Sequence, residues 1–205
     1  MSSKMSQPKP KYETDLDKTL FSALCASRND KAVKEFLSQC DTSMNWNIQI
    51  FRRYSNSKSV FMEYFCKANV DMIKYLLTVP FINPNEISTV GGDYNYNYTV
   101  DLFDMISSIY EGRMPSEECI KRRIQIIKMF IDSDKVDVNI LDYNGDSVLQ
   151  SAMTGNVNVP EEVLQYILDH PRVTVHNTPS EDGQTPLMRS LQSFNMYQKN
   201  DNLIK

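Results

Sequence analysis

Few side chains in this 205-residue chain are spaced for chemistry. Asp142-Tyr143-Asn144-Gly145-Asp146 places oxygen ligands at alternate positions, as a calcium loop begins. An EF-hand loop starting at Asp142 needs Gly in its sixth place and a bidentate carboxylate in its twelfth, where this chain has Ser147 and Met153. The pentapeptide therefore predicts a turn and no cation site. His170 and His176 flank Pro171 without the Cys or third His that would complete a metal set, so no metal is assigned. His170 is expected to close a helix, where its cation suits the negative pole. Lys121-Arg122-Arg123 could hold an anion, but beside Glu117 and Glu118 the cluster reads as a solvated helix face. Cys25, Cys40, Cys66 and Cys119 lack CxxC spacing and are expected to be reduced, buried thiols. No Gly-rich phosphate loop, HExxH or GxSxG occurs, so neither enzymatic activity nor a cofactor is expected.

The best-equipped segment is made for contact rather than reaction. Tyr94-Asn95-Tyr96-Asn97-Tyr98 offers rigid aromatic area at low entropic cost and is the leading partner-binding candidate. Tyr143 and Asn144, at a second turn, are weaker candidates of the same kind. Asn97-Tyr98-Thr99 fits the glycosylation sequon, a chance match in a chain without a secretion signal.

Holding such loops requires a scaffold, and one phrase recurs that could supply it: Lys31–Leu37, Asp71–Leu77, Gln125–Ile131 and Glu162–Leu168, each an amphipathic helical pattern. Eight residues beyond each last apolar position stand Asn45, Asn85, Asn139 and His176, and a fifth phrase opens at Asn202-Leu203-Ile204-Lys205. Before each phrase lies a shorter apolar helix and a tight turn, as in Thr19–Ala26 with Arg28-Asn29-Asp30, and Ser59–Cys66 with Ala68-Asn69. Phe21 to Leu37 and Phe61 to Leu77 both span sixteen residues, so equivalent inter-helix contacts are expected. After each second helix comes a β-prone or Asn/Pro-rich stretch (Phe81–Asn85, Val136–Asn139, Val173–His176), then turn residues at Asp142–Gly145 and Glu181–Gly183. These stretches read as projecting hairpin loops.

The pattern resembles the ankyrin repeat, whose first helix opens on Thr-Pro-Leu-His-x-Ala. Asp182-Gly183-Gln184-Thr185-Pro186-Leu187-Met188 is similar, with Met in place of His; so are Asn144–Ala152, Lys18–Ala23 and the Asp137-Val138-Asn139 element. The resemblance implies an all-α repeat solenoid of stacked helix-turn-helix units with projecting hairpin loops. A disordered tail is expected over 1–16 and an array over 17–205, with units near 17–57, 58–97, 98–143, 144–182 and an incomplete 183–205. Phrase-to-phrase spacings of 40, 54 and 37 residues exceed the family period of about 33. The third unit therefore carries an insertion, at Gly91–Tyr98 and between its helices at Tyr110–Ser116. Its second helix is expected to start after an N-cap at Ser116 and to run about 16 residues.

Composition sets the remaining bounds. With 41% hydrophobic and 23% charged residues the chain can build a core, and a formal charge of −4 gives no field for nucleic acid. No apolar run reaches the ~20 residues of a membrane span, and an intracellular, cytoplasmic location is expected. The function implied is a non-catalytic protein-protein interaction module binding another protein along its concave face through first helices and hairpin tips. The alternative is a targeting or regulatory array of a longer protein whose catalytic or membrane region lies beyond residue 205, since an array ending there would leave Leu187, Leu191 and Leu203 without partners.

Overall fold

The computed structural model describes residues 15–40, 42–43, 46, 50–52, 55–85, 88–90, 97–99, 101–112, 115–142, 145–153, 159–174, 183–185 and 187–188. Within them the chain is helical: α1 (Asp15–Ala26), α2 (Asp30–Leu37), α3 (Val60–Cys66), α4 (Val70–Thr78), α5 (Asp101–Ser107), α6 (Glu117–Asp132), α7 (Val148–Met153) and α8 (Glu161–Asp169). Two short antiparallel hairpins, β1 (Ile50–Arg52) with β2 (Ser55–Lys58) and β3 (Ser88–Val90) with β4 (Asn97–Thr99), join α2 to α3 and α4 to α5. Helix formation starts at Asp15, two residues inside the tail expected over 1–16; acidic Asp15 and Asp17 suit a helix N-terminus. Residues 1–14 lie outside the described set.

The turns that fold each second helix back on the first are built alike. Arg28 (φ 60) and Ala68 (φ 51) both take the left-handed conformation that ends a helix, and an Asn with nearly the same backbone angles follows each. Asn29 Oδ1 accepts the Ala32 N–H at 3.1 Å, and Asn69 Oδ1 that of Met72 at 3.0 Å, each satisfying a donor at the next helix start. In the third pair Ser116 caps the start by accepting the Cys119 N–H at 3.1 Å, and α6 runs 16 residues, as the sequence predicts.

First helices pack side by side in the order α1, α3, α5, α7, and α4, α6 and α8 form a second row beneath them. The core between the rows is continuous. Its first section is aromatic: Phe21 stacks on Phe36 at 5.1 Å between centroids, and Trp46 meets both edge-on at 5.7 and 5.2 Å. Phe61 makes its ring contact with Phe130 of α6, at 5.0 Å, so this side chain reaches into the following pair of helices.

Among the described residues, the β-prone stretches are not strands. Phe81–Asn85 and Val136–Asn139 form turns, as does Pro171-Arg172 ahead of Val173, and the hairpins lie further along, at 50–58 and 88–99. The reason is local hydrogen bonding: Asn83 Oδ1 accepts the Asn85 N–H at 3.0 Å, and Asp137 Oδ1 that of Asn139 at 2.9 Å. Such Asx turns compete with extended pairing.

Candidate interaction surface

The clearest recurring feature of the site region is the amide eight residues past each phrase. Asn85 donates from Nδ2 to the Lys135 carbonyl at 2.9 Å and accepts the Asp137 N–H at 2.8 Å. Asn139 does the same to the Arg172 carbonyl and the Thr174 N–H, both at 2.7 Å. Each side-chain amide thus acts as a one-residue strand bridging to the next loop, and it fixes how successive loops project. Asn45 and His176 lie outside the described residues. A second bridge joins first-helix starts: Gln150 accepts the Ser147 N–H at 2.9 Å, receives Ser147 as a capping partner, and donates to the Gln184 carbonyl at 3.3 Å.

Cations complete the helix ends. Arg123, 4% exposed, donates to the Ile109 and Glu111 carbonyls at 2.8 Å and to Ser108 at 3.4 Å, past the end of α5, and to the last carbonyl of α3, Cys66, at 3.0 Å. Lys67 donates to the Cys25 carbonyl, Lys135 to Val79, and Arg172 to Ile131, Ser133 and Val136. Each satisfies carbonyls orphaned at a helix C-terminus and sits at its negative pole. The reading of Lys121-Arg122-Arg123 as a solvated face holds for two members only. Lys121 and Arg122 pair with Glu117 and Glu118 at 2.7 and 2.8 Å on the exposed side, whereas Arg123 is buried. The signal was available in the spacing, since Arg123 shares the apolar stripe with Ile127 and Phe130 at helical intervals.

On the outer row a lysine from one phrase lies over a tyrosine of a following one, Lys34 over Tyr75 at 5.0 Å and Lys128 over Tyr166 at 5.3 Å. The Tyr166 hydroxyl donates to Asp132, and that bond first, with burial second, pushes its pKa to about 12. His170 caps α8 as expected, with Nε2 3.4 Å from the same carboxylate. Burial pushes the Cys25 thiol up to about 12 and lowers Lys135 to about 8. Cys25 and Cys40 are buried as expected, while Cys66 and Cys119 are only partly so; all four are free thiols.

Of the residues singled out for binding, the described residues include two. Asn97 and Tyr98 belong to β4, with Tyr98 paired to Thr89 and Asn97 to Val90. Tyr94, Asn95 and Tyr96 lie outside the described residues, as do Tyr143 and Asn144. The described residues on either side of them are bonded to each other: Asp142 donates its N–H to the Asp146 carbonyl at 2.9 Å, Asp146 N–H bonds Asp142 Oδ1 at 2.8 Å, and Gly145 takes φ 72. These bonds are those of a tight turn, with Asp142 Oδ1 accepting a backbone N–H. Among the described residues no group of three His, Cys, Asp or Glu is placed to hold a metal, and no helix is long and apolar enough to cross a membrane.

The first helices offer less contact area than expected. Val60 to Phe65 of α3 are all buried, and β1 and β2 pack against α1 and α3. The inner face of the second helix pair is therefore already occupied. Compared with known proteins, the chain matches no family model and no curated protein.

Proposed function

We propose that this chain is an ankyrin-like solenoid that works as a non-catalytic binding module, holding a partner protein along its concave face and hairpin tips. The observation that carries the proposal is the doubled amide bridge of Asn85 and Asn139. The same residue, at the same distance past the same phrase, makes the same two bonds to the next loop, which is how a stack of equivalent units holds its projections in register. Because the first hairpin lies against α1 and α3, contact would pass to the hairpins themselves and to the segment between β3 and β4. A few aromatic anchors there would supply most of the affinity, with the surrounding contacts excluding water.

The test is affinity capture with the whole chain as bait, compared with a Tyr94→Ala, Tyr96→Ala, Tyr98→Ala variant. Loss of a captured protein with an unchanged helical circular-dichroism signal supports the reading. Undiminished capture, or a collapse of helicity, overturns it.

A further inference from the structure

At the opposite ends of the helices from the hairpins, the turns after α1 and α3 and the first turns of α6 enclose an open cleft of about 760 Å³. We propose that this cleft is a second docking site, for a segment of a partner protein carrying an acidic and a basic side chain. The acid would pair with Arg28 and the base with Asp71.

Most of the cleft's polar groups are committed within the chain. Asp30 accepts the Asn69 side-chain amide at 2.8 Å, and Arg122 is held by Glu118 at 2.8 Å. Lys67 pairs with Glu63 at 3.1 Å, donates to the Cys25 carbonyl and lies over the Tyr64 ring. Such mutual fixing makes the walls rigid before anything binds, which lowers the ordering cost of association. Arg28 and Asp71 are the two ionised lining residues that make no such bond. They are opposite in sign and come from different helix pairs, so together they select a dipolar sequence rather than a plain anion or cation.

The turn at Arg28 fixes where that residue stands on the cleft wall. Its φ of 60 is one that an L-residue adopts at some cost and that glycine adopts freely. The equivalent position after α3 holds the small, buried Ala68. The shared conformation belongs to the turn, and what differs at Arg28 is the exposed, charged side chain that it brings to the cleft. The size of the cleft lies within the range of ligand sites, and its openness to solvent and charged lining suit a polypeptide segment.

The test uses the full chain, isotope-labelled, with short synthetic peptides bearing one Glu and one Lys at varied spacing, and all-Glu, all-Lys and uncharged peptides as comparators. At least one mixed-charge peptide should shift the backbone amides of Arg28 and of Asn69 to Asp71, with its effect falling as salt rises. Arg28→Gly relieves the strain, so it should melt no lower than the parent while binding that peptide at least tenfold more weakly. Arg28→Glu with Asp71→Lys should prefer the peptide with Glu and Lys exchanged. Equal binding of the all-Glu or all-Lys peptide, unchanged affinity in Arg28→Gly, or shifts confined to other residues would overturn the assignment.

Discussion

Arg123→Met should be among the most damaging single substitutions in this chain, although the two basic residues just before it, Lys121 and Arg122, make only exposed ion pairs. The parent guanidinium makes three bonds of 2.8 to 3.0 Å and a longer one at 3.4 Å, all to carbonyls at the ends of α3 and α5. Hydrogen bonds to charged groups contribute about 1.5–3 kcal/mol each. The three short bonds thus sum to roughly 4.5–9 kcal/mol before the cost of burying a cation with no carboxylate against it, which is several kcal/mol. Methionine refills much of the volume but leaves the carbonyls without their donor, the buried one of Ile109 among them, so a net loss of about 3–5 kcal/mol is expected. For a chain of this length that lowers the melting temperature by about 6–20 °C. Arg123→Lys should recover only part, because a single ammonium cannot span two helix ends as the fork does. Arg122→Met, which breaks an exposed pair one residue away, should change stability by less than about 0.5 kcal/mol. Urea denaturation followed by circular dichroism reads all three. If the Arg123→Met midpoint moves no further than that of Arg122→Met, the carbonyl-capping account of Arg123 is wrong.

The amide bridges give a second expectation: Asn85→Ala and Asn139→Ala should each cost about 1–3 kcal/mol. The two losses should be coupled rather than simply add, since Asp137 bonds Asn85 through its N–H and accepts the Asn139 N–H through Oδ1, and each variant should speed exchange of one amide, Asp137 in the first and Thr174 in the second. A third concerns alkaline pH. Lys135 titrates near 8 in the folded chain against an ordinary 10.5, so between these values the unfolded state holds a proton the folded state has released, and stability rises with pH. Cys25 acts oppositely: its folded value of about 12 exceeds the ordinary 9.0, so the unfolded thiol ionises first and stability falls from about pH 9 upward. The two slopes oppose each other between about pH 9 and 10.5, so denaturation should show a broad maximum there, and the rise leading into it should disappear in Lys135→Met.

What the sequence discloses and what it hides follow from the range of the interactions. The α6 boundaries were readable because Ser116, Glu117 and Glu118 act within one helical turn. Gly145 and Gly183 were readable for the same reason; both take the positive φ that their turns require, 72 and 77. Asn85 and Asn139 could be located by counting, but not their purpose, because their partners lie 50 to 52 and 33 to 35 residues away. The β-prone runs misled because an Asx oxygen two residues upstream outcompetes strand pairing, which has to be supplied from afar. Trp46, buried against Phe21 and Phe36, gave no periodic signal at all, since it sits in a loop. Of the binding segment, the sequence marks the tyrosines, and the structure adds only that Asn97 and Tyr98 lie on a paired strand.

The cations at the helix ends have a direction, and it makes a last prediction. Lys67 reaches back to α1, Arg123 to α3 as well as α5, Lys135 to α4 and Arg172 to α6; in every case a later residue satisfies carbonyls of an earlier helix. Losing a carbonyl's donor strands an acceptor that cannot move, whereas a cation deprived of its carbonyls can turn to water on its flexible stem. Damage should therefore register upstream of the substituted residue. In Arg172→Ala the carbonyls of Ile131, Ser133 and Val136 lose their cap, while α8, which precedes Arg172 directly, keeps its own closing bond from the His170 N–H to Ile167. Hydrogen exchange should accelerate more at the amides of Ser133 and Val136, which close the end of α6, than at His170. Equal or greater loosening of α8 would mean that Arg172 serves its own helix pair, and that the order of the stack carries no directional coupling.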